Sequence, residues 1–182
     1  MSEFVLFIGS ARVAQGARPD IVRALRQAGD RPEPPLVFDL ETGAQVDFDI
    51  TGSDADIAAR YGEGERGRGR PKLGVIAREV TLLPRHWDWL NTQRGGASAA
   101  LRRLVDAARR DDGGATEAAS ARAAAYRLLS AIAGDWPHFE AAARALFADD
   151  FATFEALTAG WPGDVVAVAL ARWRGAAGAL SA

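Results

Sequence analysis

Arg66, Arg68, Arg70 and Lys72 alternate with Gly67, Gly69 and Pro71, so four cations sit at every second position with almost no side-chain bulk between them. This pattern suits recognition of a polyanion rather than bond-making. In the narrow minor groove of A·T-rich DNA the negative potential is concentrated, so Arg68 and Arg70 can lie along the floor while Gly69 lets the backbone approach. Pro71 fixes the direction of exit and Lys72 reaches a phosphate. The charge around this segment is equally local. Residues 60–110 carry 12 Lys and Arg against 5 Asp and Glu, and the rest of the 182-residue chain carries 10 against 19. A basic patch on an otherwise acidic chain points to a nucleic-acid partner and away from general stickiness.

Catalytic signatures are missing. The only histidines, His86 and His138, fall on separate expected helices, and no phosphate-binding loop, dinucleotide fingerprint, zinc-protease helix or nucleophile elbow occurs. Asp47, Asp49, Asp54 and Asp56 cluster in sequence, but ordinary turn and capping carboxylates account for them better than a cation site. We therefore expect no enzyme activity, no metal and no cofactor. With no cysteine there is no disulfide framework and no thiol nucleophile. No apolar run approaches the roughly 20 residues of a membrane span, and the N-terminus does not read as a signal peptide. The expectation is a cytoplasmic, nucleoid-associated protein without a membrane partner.

Arg68-Gly69-Arg70-Pro71 resembles the centre of the AT-hook, a peptide that binds the A·T minor groove. A second resemblance follows directly. Residues 78–82 read as a short strand and 84–93 as a short helix with Leu83, Trp87 and Leu90 on one stripe. Gly95 and Gly96 make a break, and Ser98 is the expected N-cap of a helix with Leu101, Leu104, Val105 and Ala108 at helical spacing. This order resembles the ribbon-helix-helix fold, in which two chains pair their strands into a ribbon that enters the major groove. The resemblance implies that Val80 and Leu82 face a dimer core while Glu79 and Thr81 face the groove. Glu79 departs from the pattern, because phosphates repel it; it can accept from a cytosine amino group, or a register one residue over exposes Arg78 instead. Backbone donors near Ala97, Ser98 and Ala99 would hold a phosphate. The other readings are a plain basic linker followed by a helical hairpin packed on the rest of the protein, or an RNA-binding segment.

The elements that must position this region read as α+β. Residues 4–8 form a buried strand ending at Gly9, with residues 12–15 as a hairpin partner, and residues 19–26 form a helix burying Ile21, Val22 and Leu25. Residues 36–40 and 45–50 read as a second hairpin around 41–44, the latter strand alternating Val46, Phe48 and Ile50 with polar residues. The expected organisation is a small mixed domain at 1–60, a flexible basic linker at 61–74, the ribbon-helix-helix-like segment at 75–112 and an all-helical region at 113–182. In that last region Trp-Pro recurs at 136 and 161, and Phe-Glu-Ala at 139 and 154.

Nearly the whole chain is also similar to a bacterial family catalogued as a domain of unknown function, number 2239. The similarity is carried by residues 67–75, by 78–90 and by 95–106. The family name implies no activity. From the residues, the expected partners are double-stranded DNA with an A·T-rich preference and a second copy of the chain, with a further protein contact possible through the flanking domains. The alternative is a protein-interaction module whose basic segment only links its parts.

Overall fold

A computed structural model of the chain describes residues 2–29, 32–62 and 78–180, the side chains of the last four of these excepted. The apolar run near the N-terminus becomes β1 (Glu3–Ile8), the centre of a three-stranded antiparallel sheet between β2 (Ala11–Ala17) and β3 (Pro35–Asp39). Alternation decides what each strand residue meets. Phe4, Leu6 and Val37 face α1 (Arg18–Ala28), where Ile21 and Leu25 complete one core with Val46 and Phe48 at its margin. Val5, Phe7 and Phe38 face the other way, into a larger core built by the C-terminal helices. Burial on both faces explains why residues 4–8 are continuously apolar rather than alternating.

Residues 45–50 do not form the expected strand. Phe38 and Gln45 make a single bridge and Val46 N–H donates to the Val37 carbonyl at 2.8 Å, after which the chain leaves the sheet. Its polar residues make local turns instead. Asp49 accepts from Thr51, Asp49 N–H donates to the Tyr61 hydroxyl, and Phe48 packs edge-on against both Phe4 and Tyr61. Tyr61 comes from α2 (Asp54–Tyr61), a helix not expected from the sequence although Ser53 and Asp56 form a capping box at its start.

Two further helices, α3 (Pro84–Thr92) and α4 (Gly96–Asp111), precede α5 (Ala115–Ala133), α6 (Phe139–Phe147), α7 (Phe151–Leu157) and α8 (Gly163–Leu180). The expected helical C-terminal region is thus present. The recurring Trp-Pro pairs meet: Trp136 and Trp161 pack edge-on at 5.4 Å, and Trp161 Nε1 donates to the Pro137 carbonyl at 3.0 Å. Compactness divides the chain into two units, residues 1–64 together with 115–182, and residues 65–114. The segments at 1–60 and 113–182, which the sequence reading keeps apart, share a core because Val5, Phe7 and Phe38 need the helices to cover them.

Two features fix this core, one joining the turn after β3 to the helices and one joining the helices to each other. The turn after β3 places Gly43, with φ +69°, against α5, where an added Cβ would fall on the Ala124 carbonyl; Arg127 of α5 donates to the Thr42 carbonyl at 2.6 Å. Asp149, between α6 and α7, accepts from Trp173 Nε1 at 2.8 Å and from Arg122 at 2.7 Å. Its carboxyl is held below the ordinary value, first by the Trp173 indole and further by Arg122, against an opposing push from burial.

Gly43→Ala should therefore destabilise the protein by about 2–4 kcal/mol, combining left-handed backbone strain with overpacking against α5; chemical denaturation reads this, and a change under about 0.5 kcal/mol would show that the turn yields. Asp149→Ala leaves the buried Trp173 donor unpaired and puts alanine at φ +56°, a loss of about 2–3 kcal/mol at neutral pH. Because the folded carboxyl has a lowered pKa, its contribution is present above the unfolded value and disappears as pH falls through the folded one. The gap between variant and parent should narrow in that acid range, and a gap independent of pH would show that the charge contributes nothing.

Candidate nucleic-acid interface

Arg66, Arg68, Gly69, Arg70, Pro71 and Lys72 lie outside the described residues. The described part of the basic region starts at Arg78. Residues 78–83 carry no regular secondary structure, so the strand expected at 78–82 is not formed within the single chain. Among the described residues no strand runs beside this segment. Arg78, Glu79, Val80 and Thr81 are all exposed and Leu82 is half-buried.

Pro84 occupies the first turn of α3, where its fixed φ suits the helix and its missing N–H costs nothing. Thr92 Oγ1 and Gln93 Nε2 both donate to the Trp89 carbonyl and close the other end. The chain then reverses through Gly95 and Gly96, at φ +86° and +74°, a conformation that side chains rarely adopt. This reversal corrects the expected cap. Gly95 is the N-cap of α4, and Ser98 lies inside the first turn, where its hydroxyl accepts from Arg102 at 3.3 Å. Ala97 and Ser98 still supply first-turn backbone donors, since the cap lies three residues earlier, at Gly95.

Charge pairing separates the two units. Among the described residues of the larger one, seven arginines have carboxylates within 4.0 Å: Arg23, Arg26, Arg60, Arg122, Arg144, Arg172 and Arg174. Among the described residues of 65–114, the arginines at 78, 85, 94, 102, 103, 109 and 110 form no such pair within their unit. Arg102 meets a hydroxyl, and Arg103 donates to the Arg94 carbonyl. The helix starts repeat the contrast. The first turns of α3 and α4 hold neither an acidic side chain nor a side-chain cap. Elsewhere α2 has its capping box and α7 is capped by Asp150; both Asp56 and Asp150 are held below the ordinary carboxylate range by the serine and threonine they bond. Unpaired guanidinium groups and open helix starts both favour a bound anion.

Arg85, Arg94 and the half-exposed Trp89 were not picked out by sequence reasoning, because spacing on a nine-residue helix does not reveal which face stays open. Three of the four aspartates near residue 50 go to separate partners. Asp49 serves Thr51 and Arg60, Asp54 pairs with Arg26, and Asp56 caps α2. Among the described residues no group of three or more metal-ligating side chains gathers, and no helix is long and apolar enough to cross a membrane.

Comparison with known proteins found no matching curated protein and no matching solved structure. A family model does match, over residues 3–172, covering the smaller unit with its basic segment and most of the larger one. The chain accordingly belongs to the family described as an uncharacterized protein conserved in bacteria, DUF2239.

Proposed function

We propose that this protein binds double-stranded DNA through residues 66–110 and acts in the cytoplasm as a transcriptional regulator or nucleoid-associated factor. The observation that carries the reading is the set of arginines from 78 to 110 left without carboxylates among the described residues of their unit, while most described arginines of the other unit have them. Guanidinium groups whose charge is not matched by a neighbouring carboxylate remain available to phosphates. In this reading Arg68, Gly69 and Arg70 follow the minor groove, with Pro71 and Lys72 leading out to the backbone and Arg66 adding a phosphate contact. Arg78, Thr81 and Glu79 line the major groove on a ribbon shared by two chains, and Ala97 and Ser98 present backbone donors to a phosphate. Tethering the two readers raises the local concentration of each without a new contact.

A protein-interaction role is the second reading, favoured by Val80, Leu83, Trp89, Leu104 and Val105, which are 47–54% exposed in this unit. Titration of a labelled A·T-rich duplex separates the two. Binding should weaken about 100-fold between 50 and 200 mM salt if some four phosphates are contacted. A flat salt response would remove the DNA reading and leave the protein-interaction one. Changing Arg68 and Arg70 together to alanine should weaken binding to A·T-rich duplex at least ~10-fold more than to G·C-rich duplex, since only the former offers the narrow groove. Equal losses on both would reduce the segment to a nonspecific basic tether.

A further inference from the structure

The outer face of α4 is unusually apolar for an exposed surface. Ala97, Leu101, Leu104, Ala108 and Asp111 follow one another at steps of four and three, a continuous line along the helix, with Val105 beside Leu104. Leu104 and Val105 are 47% and 54% exposed, whereas Ala100, on the adjoining face, is buried within the hairpin. The same helix carries a charge arrangement that is complementary to itself when reversed. Its first turn has open donors at Ala97 and Ser98 and no acidic side chain, and its last residue on the apolar line is the exposed Asp111.

From this face we infer that α4 is a homodimer seam, on which the α4 of a second copy lies antiparallel. Reversal about a point between Leu104 and Val105 sets Leu104 against Val105 and Leu101 against Ala108, in both directions at once. It also sets Asp111 of each copy over Ser98 of the other, where a carboxylate meets unpaired N–H groups and the positive end of the helix dipole. Parallel pairing would instead bring like ends together. A closed two-fold contact follows, of the isologous kind in which one patch completes itself. It places Arg102 and Arg109 of both copies along the same flank of the seam, four guanidinium groups facing outward. The helix is about 24 Å long, so the contact is small and the dimer belongs to the weak, concentration-dependent class. The inference shares only the second copy with the DNA-binding reading: it makes α4, not the ribbon, the contact that holds the free dimer, and it is independent of whether DNA is the ligand.

A chain without cysteine allows a direct test. In the full-length protein, Leu104→Cys should couple to itself under mild oxidation at least ~10-fold faster than Ala97→Cys, while a mixture of Ala97→Cys and Asp111→Cys should form the mixed dimer. Self-coupling of Ala97→Cys as fast as Leu104→Cys would overturn the antiparallel arrangement. Sedimentation of the unmodified protein should show dimer at ~100 μM, and a monomer there would overturn the seam altogether. Leu104→Glu, checked for retained helical circular dichroism, should be monomeric where Thr81→Pro, which would break a ribbon, is not. Loss of the dimer in Thr81→Pro but not in Leu104→Glu would overturn the α4 seam and leave the ribbon standing. Coupling at Leu104 without duplex binding would support the seam and defeat the DNA-binding reading.

Discussion

Burial of β1 on both faces is the constraint from which the larger unit follows. Phe4 and Leu6 turn to α1 while Val5 and Phe7 turn to the C-terminal helices, so neither flank can cover the strand alone. Each of these side chains contributes about 2 kcal/mol by leaving water, which a three-stranded sheet could not retain with one face open. The N-terminal sixty residues and the C-terminal helices are therefore held together across the intervening chain. Gly43 against Ala124, and Arg127 on the Thr42 carbonyl, set how closely the turn after β3 approaches α5.

The hairpin of α3 and α4 obeys a different balance. Its described residues bury only Leu90 and Ala100, and its large apolar side chains stay substantially exposed. Its described arginines lack the carboxylate partners found in the other unit. Such a surface holds its shape through glycine-directed reversal and short-range capping bonds such as those of Thr92 and Gln93. A ligand that bound such a segment in its folded form would stabilise it, by the ordinary linkage between folding and binding. The DNA and second-copy proposals both draw on that incompleteness.

Pairing of charges acts locally in the rest of the molecule. Asp149 joins α5 and α8 through Arg122 and Trp173, at a left-handed position that aspartate tolerates. Arg172 reaches Glu117 across the same two helices at 3.1 Å. Most of the other pairs are exposed and add little each. Their consequence is electrostatic rather than energetic: they remove arginines from competition for an external anion.

Local chemistry made much of this legible in the sequence. The strand at 4–8, the helix around Ile21, Val22 and Leu25, the short helix after Pro84 and the reversal at Gly95 and Gly96 all announce themselves by periodicity, fixed φ or permitted positive φ. The basic segment and the acidic remainder are likewise matters of composition. Several features were decided only by tertiary structure, because each depends on a partner distant in the chain. Residues 45–50 alternate like a strand, yet the edge of β3 takes only a bridge between Phe38 and Gln45 before Asp49 finds nearer bonds to Thr51 and Arg60. Ser98 looked like a cap, but the cap position is set by where the backbone turns. The pairing of Trp136 with Trp161 and the sharing of one core by both ends of the chain required the sheet to be covered twice. Sequence determines which surfaces seek burial or counter-charge; three-dimensional packing decides which of them find it within one chain and which are left for a partner.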